Sequence, residues 1–341
     1  MLDELFHELF KAPPNAWQRA AHNAFLAGTP PQYIKVPTAG GKTAILAAFL
    51  AALAEQARTG TVTLPRRLVL VVNRRVLVDQ ASALALRLSE IAKAGTVPDL
   101  SSALTGLSTR GIPLAVSTLR GAMADNGDWS LDPTTPGLIL GTPDMIGSRL
   151  LFRGYGIGRS RAATHAGLLG IDTLVVHDEA HLAPAFSAVL REIETLAAPS
   201  AIAVGRPPLH VLEMTATLPP QAKTANFLEC AIGDDPALTK RMSAPKWLKL
   251  VRVDVAQRGK HKPAALVLNT LAERALAYAG ACKAVATFVN RPDAAAQLAE
   301  RLLKGGIPAE RIVPLTGTLR GWEREQLTRT EGFLRFSPDR T

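Results

Sequence analysis

The sequence predicts an α/β protein in which a doubly wound parallel sheet is followed by the first part of a second α/β domain. Two observations support this fold class. Short runs of aliphatic residues alternate with longer segments of helical periodicity, as in parallel sheets covered by helices. A Gly-Gly-Lys-Thr segment follows one such run and opens an apolar helical pattern, which is a strand–loop–helix context. With 341 residues, 47% of them hydrophobic, the chain is long enough for two domains.

Six strands are predicted in the first domain, and all of them fit one sheet. They are YIKV (33–36), RLVLVV (67–72), PLAVST (113–118), GLILGT (137–142), DTLVVHD (172–178) and LHVLEMTAT (209–217). Between them, helical periodicity predicts helices near residues 42–57, 75–94, 143–152 and 185–197.

The pattern changes after the sixth strand, and we place the domains at residues 1–240 and 241–341. The second part carries helical patterns over 264–279 and 292–304 and strand patterns over 283–289 and 311–315. Too few residues follow these strands to complete a parallel sheet, so the chain is expected to stop inside its second domain.

Charge and cysteine content restrict the class of partner and the compartment. The 39 basic residues exceed the 29 acidic ones, and the net charge of +10 favours a polyanion such as nucleic acid or a nucleotide. Cys230 and Cys282 lack metal-ligand spacing and indicate no disulfide framework, which suits a cytoplasmic protein. The longest apolar run, residues 44–54, is too short to span a bilayer, so no membrane partner is expected.

The segment VPTAGGKTA (36–44) has the composition of a phosphate-binding loop. Such a loop needs backbone N–H groups that no Cβ obstructs, and Gly40 and Gly41 provide them. Lys42 would contact the β and γ phosphates, and the Thr43 hydroxyl would bind Mg²⁺. The alternative is a plain Gly-Gly turn before a helix.

The segment VVHDEAHL (175–182) supplies the second element, because an apolar strand ends in two carboxylates. ATP hydrolysis needs one acid to hold Mg²⁺, which fits Asp178, and another to orient the attacking water, which fits Glu179. Alternatively, Asp178 caps a helix. The occurrence of these two carboxylates together with Gly-Gly-Lys-Thr upstream favours an ATP–Mg²⁺ site.

Two further features are open to more than one interpretation. His177-Asp178 spells the HD pair of metal phosphohydrolases, but the other histidines form no evident metal set, so no nuclease is predicted here. In MTATLP (214–219), Thr215 and Thr217 offer hydroxyls that could contact the acidic segment. Read alone, this segment is an ordinary strand end.

The series PTAGGKT, DEAH and TAT, with Gln18 upstream, resembles the motif series of superfamily 2 helicases. The resemblance implies a RecA-like P-loop domain followed by the N-terminal part of a second RecA-like domain, with ATP and Mg²⁺ as ligands. It implies that His181 acts with Thr215 and Thr217 to couple hydrolysis to movement. Residues implied in catalysis are Lys42, Asp178, Glu179 and His181, those at the metal are Thr43 and Asp178, and those around the nucleotide are Gln18, Thr38, Ala39, Gly40, Gly41, Lys42 and Thr43.

Two departures from the family pattern qualify this resemblance. The family loop reads A-x-x-G-x-G-K-T, whereas here the middle glycine is displaced by one position, so that Ala39 adds a methyl group. The later motifs that bring the arginine finger and the nucleic-acid grip of the second domain are absent. This chain alone is therefore expected to be a weak or inactive ATPase.

Other segments match the motifs that hold nucleic acid in this superfamily. VVNRRVLVDQ (71–80) resembles motif Ia and GTPDMIGSRLL (141–151) resembles motif Ib. By this resemblance, one DNA strand is held through its phosphates, independently of sequence. The residues implied are Asn73, Arg74, Arg75, Thr142 and Pro143.

Two assignments stay open between a binding and a structural role. Gln18 matches a glutamine that reads the adenine edge, but it also fits a helix-surface glutamine beside a buried tryptophan. The basic stretch SRLLFRGYGIGRSR (148–161) interleaves arginines with Phe152 and Tyr155. It suits either a single-strand contact, in which bases stack on the rings, or a loop whose rings anchor it to the core.

The segments NRRVLVDQ, TPDMIGSRLLFRGYG, HAGLLGIDTLVVHDEAHL and LTGTLRGWERE together most resemble the type I CRISPR-associated helicase, in particular the subtype once called I-U. This finer resemblance implies a DNA helicase or translocase that works with a Cascade-type CRISPR RNA complex. Two alternatives remain: a restriction or repair motor of the same superfamily, and an ATP- or DNA-binding module without productive hydrolysis.

Overall fold

The computed structural model describes residues 1–38, 40–119, 127–217, 226–230, 233, 236–245, 247–253, 263–281 and 284–336. The chain forms two compact units, Met1–Ala244 and Pro245–Thr341. The division thus falls four residues after the sequence-based boundary at residue 240.

The first unit is built on a sheet of seven strands whose pairs are all parallel, which confirms the predicted α/β class. The strand order is β3-β4-β2-β5-β6-β1-β7. The strands are β1 (Tyr33–Lys35), β2 (Arg67–Val72), β3 (Ala115–Leu119), β4 (Gly137–Gly141), β5 (Thr173–Asp178), β6 (His210–Thr215) and β7 (Phe227–Glu229). The first six correspond to the six predicted strands, and β7 was not predicted.

Nine helices of the described residues belong to this unit. They are α1 (Leu2–Phe10), α2 (Ala16–Leu26), α3 (Ile45–Thr59), α4 (Arg75–Ala94), α5 (Pro98–Leu107), α6 (Pro143–Leu150), α7 (Arg159–Gly170), α8 (Pro184–Ala203) and α9 (Pro236–Ser243). The basic stretch over residues 148–161 therefore spans the end of α6, a turn and the start of α7.

The core lies on both faces of the sheet, because neighbouring residues of a strand point to opposite faces. On β2, Leu68 and Leu70 pack into one hydrophobic cluster, whereas Val69 and Val71 pack into another. Helix α3 belongs to the first cluster, and every residue from Ile45 to Ala54 is buried. A helix that is apolar all round is expected to be buried in this way.

The strand order determines where functional groups can meet. Strands β5, β6 and β1 are neighbours in the sheet, and parallel strands end at the same edge. The segments after Lys35, Asp178 and Thr215 therefore converge at this edge, which we call the carboxyl edge. Ligands of open α/β sheets bind outside the carboxyl ends of the strands.

At the opposite edge of the sheet, which we call the amino edge, a buried arginine connects several segments of the chain. Arg67 begins β2, is 3% exposed, and donates to the carbonyl oxygens of Leu168, Pro133 and Ile171 at 3.0, 2.8 and 2.8 Å. Its guanidinium also lies 3.8 Å from the Asp172 carboxylate. Burial lowers the pKa of Arg67, and the charge of Asp172 partly offsets this effect.

The second unit contains helices but, in its described residues, no strand. The helices are α10 (Pro263–Ala279), α11 (Pro292–Lys304), α12 (Gly321–Thr328) and α13 (Glu331–Leu334). The strands predicted over 283–289 and 311–315 are therefore wrong for the described residues 284–289 and 311–315. Both segments line one cavity of about 990 Å³ instead of pairing, and a strand without a partner has no ladder of hydrogen bonds.

Candidate nucleotide site

The phosphate loop (residues 36–43) leaves β1 at the carboxyl edge with its first residue still bonded to the sheet. The Val36 amide donates to the carbonyl oxygen of Thr215 at 3.0 Å. A Cβ at Gly40 would lie 2.5 Å from Cγ1 of Val36 and 2.9 Å from the carbonyl oxygen of Pro37, so a side chain there would force the backbone to shift. Gly41 has φ +75°, a left-handed conformation that glycine adopts without strain. Both glycines are thus required by the local backbone.

Helix α2 contacts this loop through two adjacent side chains. The indole Nε1–H of Trp17 donates to the carbonyl oxygen of Gly40 at 3.0 Å, and Trp17 is 2% exposed. The Gln18 amide nitrogen lies 3.3 Å from the carbonyl oxygen of Gly41, while its amide oxygen accepts from the backbone N–H of Asn15. Gln18 is thus a buried residue that touches the loop, and not a surface residue of the helix.

The Lys42 ammonium group is directed at the two acids after β5. It lies 2.6 Å from Oε1 of Glu179 and 3.7 Å from Oδ1 of Asp178. Lys42 is 9% exposed, so this pairing is shielded from water. The structure therefore brings together the lysine of the loop and both carboxylates, which are far apart in the sequence.

The two acids differ in environment. Burial raises the pKa of Asp178, with the Lys42 charge lowering it and the Glu179 charge raising it further. Glu179 has φ +51°, an uncommon left-handed conformation for a non-glycine residue. Its backbone N–H donates to Oδ1 of Asp178 at 2.9 Å, which holds this turn against the preceding carboxylate.

His181 connects the acids to the end of β6. Its Nδ1 lies 3.5 Å from Oε2 of Glu179 and 3.2 Å from the Thr215 hydroxyl. The Thr215 hydroxyl also donates to the carbonyl oxygen of Thr217 at 2.9 Å. A continuous set of contacts thus runs from Glu179 through His181 to the threonine pair.

The residues expected to contact nucleic acid follow β2 and β4, which end at the same edge. The Asn73 amide donates to the carbonyl oxygens of Asp178 and Glu179, both at 3.2 Å, so it contacts the acidic segment itself. Arg74 is exposed and caps α4, and Arg75 is the first residue of that helix. Thr142 and Pro143 are half-buried at the start of α6.

The remaining predicted residues are placed as follows. Thr38 is exposed on the loop and Thr43 is half-buried at the start of the helical segment. Ala39 lies outside the described residues. Within the described ranges no set of three or more His, Cys, Asp or Glu side chains is grouped to hold a metal. No helix of the described chain has the length and apolarity needed to cross a membrane.

Sequence reasoning missed two contacts of the site. The hydrogen bond from Trp17 to Gly40 and the approach of Asn73 to the acidic segment both join residues distant in sequence. One local signal existed for the first of them: Asn15 and Gln18 form a reciprocal capping box at the start of α2. This box fixes the first turn of the helix and therefore the position of Trp17.

These residues fit a nucleoside triphosphate with Mg²⁺. The Lys42 ammonium is a strong donor for phosphate oxygens, the loop before it turns through two glycines, and Asp178 and Thr43 offer the hard oxygen ligands that Mg²⁺ prefers. The seven-stranded parallel sheet, with a glycine loop after β1 and carboxylates at the end of β5, has the architecture of RecA-like domains.

Comparison with known families agrees with this class. Residues 11–220 match the family ResIII, described as type III restriction enzyme, res subunit, and the chain belongs to this family. The match covers more than half of the chain and includes the whole candidate site. No curated protein matches the chain.

Two solved helicase structures are similar in fold. The DUF1998 helicase MrfA has a TM-score of 0.56 and 14% identity, covering 95% of this chain and 43% of that one. The helicase Lhr of Mycobacterium smegmatis, solved with ssDNA and AMP-PNP, has a TM-score of 0.50 and 18% identity, covering 95% of this chain and 39% of that one. The chain thus spans about two fifths of the length of each.

Proposed function

We propose that this chain is part of an ATP-dependent DNA helicase or translocase, and that the site at the carboxyl edge binds and hydrolyses ATP. The observation that carries this proposal is the contact of 2.6 Å between the Lys42 ammonium and the Glu179 carboxylate, next to a loop that only glycine can form. A lysine held against two acids at the end of a glycine loop is suited to exchange carboxylate oxygens for phosphate oxygens.

Each residue then has a separate task. The loop N–H groups and Lys42 bind the phosphates, and Lys42 leaves Glu179 as it does so. Glu179 then orients the attacking water and accepts its proton. Bound Mg²⁺, held by Thr43 and Asp178, would neutralise charge on the phosphate oxygens.

Coupling to movement would use the contacts that run from Glu179 to β6. His181 contacts both Glu179 and the Thr215 hydroxyl, and Thr215 bonds to Thr217. A change in the Glu179 side chain on hydrolysis would therefore reach Thr217 through three successive contacts. Asn73 fixes the backbone of the acidic segment and would support this route.

The nucleic-acid partner is proposed to be one DNA strand held through its phosphates. Arg74, Arg75, Thr142 and Pro143 follow strands that end at the same edge as the ATP site, and the chain carries a net charge of +10. The similar helicase Lhr was solved with ssDNA and AMP-PNP bound. A motor of this kind is expected to act in the cytoplasm.

The test is ATP turnover with and without single-stranded DNA, measured on the full-length protein and on its Glu179→Gln variant. The variant should retain ATP binding while its DNA-stimulated turnover falls by about 100-fold or more, because a general base is removed. Glu229→Gln, which changes an exposed carboxylate paired with Lys35, is the matched control and should be unaffected. Near-normal turnover of Glu179→Gln would overturn the assignment.

This experiment also separates the motor from a binding module. If the wild-type chain binds ATP and DNA but its ATP turnover is no higher than that of its Glu179→Gln variant, this chain is a nucleotide-responsive binding module. Turnover of a longer chain with the later helicase motifs would then show whether hydrolysis needs residues that this chain lacks.

Within this function we propose a narrower role in a type I CRISPR interference system, with a Cascade-type RNA complex as partner and antiviral defence as the outcome. It rests on the segments NRRVLVDQ and LTGTLRGWERE and the others that resemble that helicase. The match to the res subunit of type III restriction enzymes favours the restriction motor as the second candidate. Stimulation of ATP turnover by a Cascade complex loaded on target DNA, beyond that by free DNA, would support the first candidate; its absence would favour the second.

A further inference from the structure

The turn after α6 carries two aromatic side chains that the ATP site does not use. Phe152 is 61% exposed and Tyr155 is 59% exposed. The sequence left open whether these rings anchor the turn to the core or face a ligand. Rings exposed to this degree do not anchor the turn.

Other side chains do hold the turn in place. Arg149, which is 2% exposed, and the half-buried Ile157 lie on its inner side. A Cβ at Gly154 would lie 3.0 Å from Cγ of Arg149 and 2.3 Å from Cδ1 of Ile157, so the turn is closely packed there. The two aromatic rings are therefore presented on the outer side of a turn that needs neither of them for packing.

Phe152 also occupies a backbone position that favours glycine. The amide of Arg153 donates to the carbonyl oxygen of Ser148 at 2.6 Å, and that of Phe152 donates to Arg149 at 3.2 Å. These two bonds form a Schellman motif, in which the residue after the C-cap is usually glycine. Phe152 takes the left-handed conformation there, with φ +60°. Neither the backbone nor burial explains a phenylalanine, and local rules of this kind are broken mainly at functional positions.

The sequence around the turn is basic. Arg153, Arg159 and Arg161 are exposed, within ten residues of both rings. Exposed aromatic rings beside arginines are the combination by which proteins bind single strands without reading sequence. Helix α6 joins this turn to Thr142 and Pro143, and its eight residues correspond to about 12 Å. The turn can thus continue the strand contact proposed at the carboxyl edge.

We infer that Phe152 and Tyr155 form a stacking platform for unpaired bases of a single nucleic-acid strand, with the three arginines on its phosphates. The inference rests on the proposed function, which supplies the strand. The platform uses base faces, so it accepts DNA and RNA alike, and any preference between them arises elsewhere.

The test measures binding of fluorescent oligonucleotides to the chain by anisotropy, without nucleotide. Phe152→Gly should weaken oligothymidylate binding by about five-fold or more, since one stacked base is lost. It should barely change binding of an abasic oligonucleotide of the same length, which keeps the phosphates. Phe152→Trp should bind as wild type. Leu196→Ala, at another exposed apolar side chain, is the control and should have no effect.

Folding provides an independent readout, because glycine suits the backbone of this position. Phe152→Gly should melt at the wild-type temperature or above it, which separates lost binding from lost structure. Oligouridylate should show the same loss as oligothymidylate. An equal loss of affinity for the abasic oligonucleotide would overturn the platform. Unchanged affinity for both base-bearing oligonucleotides would also overturn it, and would indicate that the exposed rings bind a protein partner.

The platform and the proposed motor fail in different ways. The platform fails if Phe152→Gly leaves oligothymidylate affinity unchanged, whatever the ATP turnover. The hydrolytic function fails if Glu179→Gln turns over normally, whatever the affinity. If the wild-type chain binds no oligonucleotide, the platform and the nucleic-acid part of the proposed function are both overturned. The proposed ATP site is not affected by that result.

Discussion

At both edges of the parallel sheet a buried cation lies beside a carboxylate, and the two cations differ in what else they contact. Arg67 at the amino edge donates to three backbone carbonyl oxygens and lies 3.8 Å from Asp172. Lys42 at the carboxyl edge contacts side-chain carboxylates, those of Glu179 and Asp178. Their exposures are similar, 3% and 9%.

The difference shows how one kind of ion pair serves two purposes. Backbone carbonyl oxygens cannot move away without unfolding the helix end and the loops that carry them, so the partners of Arg67 are fixed. Carboxylate side chains can rotate, and phosphate oxygens can replace them without any change in the fold. The amino edge thus supports stability, whereas the carboxyl edge is suited to exchange ligands.

The largest expected effect is the loss of stability when the contacts of Arg67 at the amino edge are removed. Arg67→Ala removes a buried charge from several acceptors at once and leaves Asp172 buried, so the free energy of unfolding should fall by about 3–5 kcal/mol. Urea unfolding followed by circular dichroism measures this. If the variant does not fold, Arg67→Lys, which keeps the charge and loses the fork of donors, should be intermediate.

The neighbouring Arg66 is the control for this prediction. Arg66→Ala should cost less than about 1 kcal/mol, because that side chain is only half-buried. Lys42→Ala should cost less stability than Arg67→Ala, since Glu179 and Asp178 keep 20% and 17% side-chain exposure, against 7% for Asp172. Equal losses for Arg67→Ala and Lys42→Ala would remove the distinction between the two edges.

The second effect sharpens the role of the carboxyl edge. Lys42→Ala should weaken ATP binding by about ten-fold or more, because a charged donor to phosphate contributes about 1.5–3 kcal/mol. Calorimetric titration with ATP and Mg²⁺ measures the affinity. Lys35→Ala is the matched control: it lies on β1 just before the loop, and its pair with Glu229 is exposed. Unchanged ATP affinity in Lys42→Ala would remove this lysine from the site.

The smallest effect concerns the support of the loop by α2. Trp17→Phe keeps an aromatic ring but removes the donor to Gly40, so ATP affinity should fall by about five-fold, or about 1 kcal/mol. Trp129→Phe, at another tryptophan that is 2% exposed, is the control and should leave ATP affinity unchanged. If both variants bind ATP as wild type does, the indole hydrogen bond does not position the loop.

The sequence was sufficient for elements whose pattern is local and strong. The apolar run of β2 and helix α3, which is apolar over residues 45–54, were predicted close to their observed bounds, because burial on both faces leaves a continuous hydrophobic signal. Strand β7 has three residues, none of them buried, and left no such signal. Residues 284–289 have the sequence pattern of a strand but form none, since a β-rich segment becomes a strand only beside a partner strand.

The site was predictable in its residue types but not in its contacts. Lys42 and Asp178 could be placed at one edge of the sheet from the sequence, because Lys42 follows a predicted strand and Asp178 ends one. The approach of Asn73 to the acidic segment depends on β2 lying next to β5, which no local pattern specifies. Its amide was expected among the nucleic-acid contacts, and in the structure it donates to two backbone carbonyl oxygens.

The position of β1 in the sheet has a consequence for synthesis of the chain on the ribosome. Strand β1, which carries the phosphate loop, pairs with β6 and β7, the last two strands of the sheet to be made. Lys35, for example, meets Glu229 across 194 residues. Since β1 emerges early and its partners emerge late, its unpaired backbone must wait while the intervening strands form. The nascent chain should therefore acquire ATP binding late, in one step, when β6 enters between β5 and β1.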